Sequence, residues 1–211
     1  MVLWSDSVFI WVQHMAQDSS KADFWDTRYQ NNVTPWDSAG LPSGFAAHAN
    51  LLLSAEPAAR VLIPGCGTAY ELAWLRQQGV DALAFDFSPL AVQRARGAFP
   101  ACADRILEAD FFGPAVDGSW HWVYERAFLC ALPPQLASRY AERMASLIPR
   151  GGVLAGYFFL RDQAKGPPFG CSLFNLQQLL APYFMLEEQQ PVAASLPVFA
   201  PDEYWLTWRR Q

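Results

Sequence analysis

At 211 residues the chain is long enough for one domain with a sizeable core. With 52% hydrophobic and 17% charged residues it is not a disordered chain, and 9 Trp and 15 Phe leave aromatic mass for a pocket as well as for packing. A net charge of −5 without a basic run speaks against nucleic acid as a partner.

In chain order, residues 1–14 hold the apolar stretch Val8-Phe9-Ile10-Trp11-Val12, too short for a bilayer and without the basic flank of a signal peptide. Met15 resembles a natural start. Residues 1–22 are therefore expected to be an extension, either a disordered arm or a mis-called upstream start, and 23–211 a single domain. Phe24-Trp25-Asp26 and Gly44-Phe45 open two helices of an N-terminal helical cap, with a turn at Thr34-Pro35-Trp36-Asp37 between them. Strands and helices then alternate. Strands are predicted at 61–63, 82–85, 105–109, 121–124 and 152–159. Helices are predicted at 70–78, 89–99, 134–147 and 173–180, the second capped by Ser88 with proline at its first position. Two late strands, 185–189 and 204–208, have only a Pro-rich loop between them and predict a hairpin. The sum is an α/β fold with a mostly parallel seven-stranded sheet, an antiparallel edge strand and helices on both faces.

Cys66, Cys102, Cys130 and Cys171 are widely spaced, with no Cys-x-x-Cys and no paired histidine. That argues against zinc and against a disulfide framework, and it predicts a reduced, cytoplasmic protein; no metal site is expected. No membrane association is expected, and a monomer is the default.

Three strand ends carry the chemistry. The first strand stops at Pro64-Gly65-Cys66-Gly67-Thr68-Ala69-Tyr70-Glu71, a strand–loop–helix junction whose backbone N–H groups face a ligand. A dinucleotide loop needs a third glycine where Tyr70 stands, which counts against NAD and an oxidoreductase. Asp86 ends the second strand, 21 residues after Gly65, where a carboxylate accepts from both hydroxyls of a ribose. Asp110 closes the third strand, positioned for an adenine amino group, with Phe111 or its neighbour against the ring. Cys66 sits at a helix start, where a thiol pKa can fall; a small residue fitting a tight loop is the simpler account.

The motifs Phe24-Trp25-Asp26-x-Arg28-Tyr29, Thr34-Pro35-Trp36-Asp37, Leu62-Ile63-Pro64-Gly65-Cys66-Gly67, Glu125-Arg126-Ala127-Phe128-Leu129-Cys130-Ala131-Leu132-Pro133-Pro134 and Gly166-Pro167-Pro168-Phe169 together resemble the thiopurine S-methyltransferase family over about residues 23–209. That family belongs to the Rossmann-like class I methyltransferases and includes halide and thiol methyltransferases. Ala69 replaces the third glycine of a generic methyltransferase loop, and Pro64 replaces its acid. The resemblance implies S-adenosyl-L-methionine as cofactor and methyl transfer to a small-molecule acceptor, a thiol or thiopurine sulfur. A halide or thiocyanate acceptor, or a catalytically silent cofactor-binding protein, is the alternative. It implies Trp25, Trp36, Gly65, Gly67, Asp86, Asp110, Phe111 and Glu125 as cofactor contacts. Arg126 is the catalytic candidate, unless it is spent on a salt bridge to Glu125 or Asp110. Phe128, Tyr157, Pro168 and Phe169 are expected to wall the acceptor pocket. The histidines His14, His48 and His121 lie outside every motif and are expected to be structural.

Overall fold

The computed structural model describes residues 18–163 and 165–211. The expected extension falls largely on residues 1–17, and with them His14, outside that range.

Among the described residues two helices come first, α1 (Ala22–Gln30) and α2 (Phe45–Ala55), followed by β1 (Arg60–Pro64), α3 (Tyr70–Gln77), β2 (Asp81–Asp86), α4 (Pro89–Ala98), β3 (Ile106–Glu108) and β4 (Trp122–Arg126). Then come α5 (Ala137–Leu147), β5 (Val153–Phe159), α6 (Leu173–Leu180), β6 (Phe184–Pro191) and β7 (Glu203–Arg210). The sheet order is β3-β2-β1-β4-β5-β7-β6. Strands β1 to β5 run parallel, and β7 lies antiparallel between β5 and β6.

The apolar runs form strands because both faces of the sheet are covered. All seven residues of β5 are buried. On one face Phe45, Leu72, Ala95, Trp122 and Trp205 form a core; on the other Tyr140, Met144, Leu176 and Trp208 form a second. Helix α5 buries Tyr140, Ala141, Met144 and Leu147, one apolar stripe at helical spacing. The predicted helix start at 134 is instead a 3₁₀ turn, Pro134–Leu136, that leads into α5 at Ala137.

Ser88 caps α4, its hydroxyl accepting from Ala91 N at 3.1 Å. Asp26 of α1 adds a second cap from outside, accepting from Leu90 N at 3.2 Å and from the Ser88 hydroxyl. The third residue of the first aromatic motif thus pins α1 to the N-terminus of α4. Strand order reverses between β1 and β4, and the crevice at their C-terminal ends is where open sheets of this kind hold ligands. No described helix is long and apolar enough to cross a membrane.

Candidate active site

A cavity of about 600 Å³ opens over the C-terminal ends of β1, β2, β3 and β4. Its walls include Trp25, Trp36, Gly65, Gly67, Asp86, Asp110, Phe111, Arg126, Phe128 and Pro168.

The glycine loop is built from left-handed backbone: φ is +59° at Gly65, +52° at Gly67 and +62° at Ala69. Glycine tolerates this at no steric cost, whereas alanine at 69 is held there by its neighbours. A Cβ at Gly65 would lie 2.6 Å from Phe128 Cδ2, and one at Gly67 would lie 3.1 Å from the Tyr29 hydroxyl. The Phe128 ring packs against Phe111 and Tyr140 and could make room only by moving into the cavity it lines. Gly65→Ala is therefore expected to lower folding stability by about 2–4 kcal/mol, the sum of backbone strain and overpacking. Chemical denaturation measures this; an unchanged midpoint contradicts the geometry.

Asp86 is buried, and its carboxylate accepts from Gly67 N at 3.1 Å and from Ser88 N at 3.0 Å. It joins the end of β2 to the glycine loop. Burial pushes its pKa up to about 6 against those hydrogen bonds. Asp110 is exposed at the rim, its Oδ1 accepting from Phe112 N at 2.9 Å. Phe111 is buried, stacked parallel on Phe85 at 6.4 Å, while its neighbour Phe112, which also lines the cavity, is half-buried.

Trp25 and Trp36 meet edge to face at 5.3 Å, and Tyr29 meets Trp36 the same way at 6.0 Å. Trp25 Nε1 donates to Ser19 O at 2.8 Å. Ser19, inside the segment expected to be an extension, is buried and lines the same cavity. Asp37 Oδ2 accepts from the Thr68 hydroxyl at 2.7 Å, tying the second aromatic motif to the glycine loop.

Arg126 is not paired with Glu125 or Asp110. Its Nη1 lies 3.7 Å from Glu71 Oε1, which also accepts from the Tyr124 hydroxyl at 3.1 Å. Arg126 Nε is buried with no hydrogen-bond partner. An orphaned buried guanidinium N–H beside a cavity is costly unless a ligand uses it. Burial raises the Glu71 carboxyl, and the Arg126 charge opposes that rise.

Three expected contacts lie elsewhere. The Glu125 carboxylate points to the opposite face of the sheet. There Oε1 accepts from Phe128 N at 2.9 Å and Leu129 N at 3.0 Å, and Oε2 from the Tyr140 hydroxyl at 2.7 Å. The cause is strand alternation: β4 continues through Arg126, so Tyr124 and Arg126 share the cavity face and Glu125 takes the other. Tyr157 is 3% exposed, and its hydroxyl donates to Ser43 O at 2.7 Å, tying the loop before α2 to the sheet. Phe169 anchors the proline loop through its own N–H, which donates to Cys130 O at 2.6 Å. Tyr157 and Phe169 line only a small crevice of about 10 Å³.

Cys66 departs from the lowered pKa that a helix start allows. Burial pushes its thiol well up, with the Asp86 and Glu71 carboxylates adding to the shift. His48 stacks on Trp205 at 4.0 Å, and His121 Nδ1 accepts from Arg60 N at 3.1 Å; neither lines the cavity.

No role was read from the sequence for Arg28, Tyr29, Asp37, Thr68, Glu71 and Tyr124, all of which line the cavity. Helical spacing from Trp25 points to Arg28 and Tyr29, and strand alternation from Arg126 points to Tyr124. Nothing local marks Thr68, whose partner lies 31 residues away.

Residues 20–199 match the family model described as Thiopurine S-methyltransferase (TPMT). The chain is similar to a probable thiol methyltransferase 2 of Arabidopsis thaliana, 27% identical over 174 residues that cover 80% of this chain and 76% of that one. It is 31% identical to a thiopurine S-methyltransferase of Azotobacter vinelandii over 177 residues, 75% of this chain and 81% of that one. Among solved structures it shares its fold with a Burkholderia thailandensis 1,6-didemethyltoxoflavin-N1-methyltransferase, crystallised with 1,6-didemethyltoxoflavin and S-adenosylhomocysteine. That likeness has a TM-score of 0.70 at 15% identity, covering 100% of this chain and 92% of that one.

Proposed function

Because this chain belongs to the thiopurine S-methyltransferase family, we propose that its cavity moves a methyl group from S-adenosyl-L-methionine to a small soft nucleophile, a thiol or thiopurine sulfur. The protein is an S-adenosylmethionine-dependent methyltransferase of that family, and the acceptor is the open part of the reading. Residues 23–211 would form the methyltransferase domain.

The residues fit the cofactor. The glycine loop presents backbone where a Cβ at Gly65 would collide with Phe128, and the Asp86 carboxylate lies in the adjoining wall, suited to ribose hydroxyls. Asp110 and Phe112 stand at the next strand end, suited to adenine. Trp25 and Trp36 offer aromatic faces, each attracting a cation by about 0.5–2 kcal/mol. When bound, the cofactor supplies a sulfonium methyl as electrophile.

The observation that carries the acceptor assignment is the Arg126 Nε, buried beside an aromatic cavity without a partner. That N–H would donate to an anionic sulfur and favour thiolate over thiol. A free thiol has a pKa near 8.5, so the shift required is modest and no histidine base is needed. Phe128, Phe111 and the Pro167-Pro168 loop exclude water and give polarizable atoms an apolar wall. Alignment and dehydration would supply most of the acceleration.

An acceptor panel of thiopurines, aromatic thiols, bisulfide, thiocyanate, iodide and selenite, scored by S-adenosylhomocysteine release, tests this. Turnover with organic thiols or thiopurines supports the proposal. Turnover confined to iodide or thiocyanate assigns a halide methyltransferase instead, and cofactor binding without any product assigns a silent binder.

Asp86 adds a pH dependence. Ribose hydroxyls donate to the ionised carboxylate, so binding favours the charged form and lowers its pKa from about 6. Cofactor affinity is expected to fall by up to about tenfold per pH unit below pH 6 and to level off above it. Calorimetric titrations from pH 5 to 8 measure this; a flat profile removes Asp86 from the ribose.

A further inference from the structure

The cofactor proposed above ends in an amino acid whose carboxylate needs a positive partner, and the cavity wall holds three arginines. Arg126 has Nη1 beside Glu71, and its Nε is the donor assigned to the acceptor. Arg139 lies over the Phe112 ring at 4.6 Å, beside the strand end suited to adenine. Arg28 is the third. It follows Trp25 by one helical turn and adjoins Tyr29, so it shares the α1 face that carries the aromatic wall. Its guanidinium carbon sits 3.4 Å from the centroid of the Phe24 ring, and Nη1 donates to Phe24 O at 3.1 Å. This fixes the plane of the fork. Nε and Nη2 have no hydrogen-bond partner, and no carboxylate lies within ion-pair distance, among the described residues. Partial burial without a counter-charge also disfavours its charged form, a cost that a bound anion would relieve.

We infer that Arg28 is the counter-charge for the carboxylate of the cofactor's methionine tail, held ready by Phe24 and separate from the acceptor-side Arg126. This rests on the reading that the methionine end lies against Trp25 and Trp36. A planar guanidinium with two N–H groups free suits a carboxylate in bidentate geometry. Arg28 would then select nucleosides that carry an α-amino acid from those that do not.

The test compares two ligands that share adenosine and a thioether: S-adenosylhomocysteine, which has the amino-acid tail, and 5′-methylthioadenosine, which lacks it. Each is titrated calorimetrically into the wild type, Arg28→Gln and Arg28→Lys, with thermal unfolding as a check on folding. Arg28→Gln is expected to weaken S-adenosylhomocysteine by about 10- to 100-fold and leave 5′-methylthioadenosine within about twofold, with Arg28→Lys recovering part of the loss. Unchanged S-adenosylhomocysteine affinity, or equal weakening of both ligands, overturns the inference. A wild type that binds neither nucleoside overturns the cofactor reading itself.

Discussion

Asp86→Ala is expected to weaken S-adenosylmethionine binding by about 30- to 1,000-fold, equivalent to about 2–4 kcal/mol. Two losses combine. The ribose hydroxyls lose a charged acceptor, and Gly67 N and Ser88 N lose the carboxylate that joins the glycine loop to α4. Folding stability should change much less. The carboxylate is already costly to bury, as its rise to about 6 records, which offsets part of the cost of leaving Gly67 N and Ser88 N without it. Asp86→Asn, which retains one acceptor oxygen, should fall between the alanine variant and the wild type. Calorimetry reads the affinity and thermal unfolding the stability. An unchanged dissociation constant for Asp86→Ala removes the ribose assignment, and a large stability loss with unchanged affinity makes Asp86 a purely structural tie.

Glu125→Ala is expected to show the reverse pattern, a loss of folding stability of about 3–6 kcal/mol. It strips the acceptor from Phe128 N, Leu129 N and the Tyr140 hydroxyl at once, each unsatisfied group costing about 1–3 kcal/mol. Burial pushes the Glu125 pKa up to about 7, so its protonated form suits the fold. In that form Oε1 still accepts two N–H groups and the acid hydrogen can bond the Tyr140 oxygen. Glutamine reproduces the pattern, and Glu125→Gln should cost little. The sign of the pH effect follows. A carboxyl whose folded pKa is raised contributes stability that is complete below its ordinary pKa and is lost as pH rises through about 7. Glutamine does not ionise, so Glu125→Gln should gain on the wild type between pH 5 and pH 8. Denaturant unfolding at both values measures it; a glutamine variant as unstable as alanine contradicts this account.

These two acids also show how far the sequence reaches. Asp86 was legible because an apolar run ending in an acid, at a fixed distance from a glycine loop, is a local pattern. Glu125 was misplaced because β4 runs two residues beyond the apolar segment that marks it, and the last residues of a strand decide which side chain faces the cavity. Tyr157 was misplaced for a different reason. It pairs in register with Arg126 and so lies on the cavity face, but the loop before α2 covers it through Ser43, a contact no strand pattern contains. The seven strands and the late hairpin were legible from apolar runs and turn residues. The bonds from Asp37 to Thr68 and from Asp26 to Leu90 were not, because they form only once the N-terminal helices dock on the sheet. The motif that held Asp37 was visible as a pattern, without the contact that explains it.

The central claim is that the cavity prefers a soft, anionic acceptor. A matched set tests it most directly: one aromatic ring bearing a thiol, a hydroxyl or an amine at the same position, each assayed for kcat/KM with S-adenosylmethionine at pH 7. The thiol is expected to exceed the other two by about a thousandfold or more, about 4 kcal/mol of difference in transition-state binding. Comparable turnover of the phenol or the aniline would contradict the account and assign the cavity to oxygen or nitrogen methylation.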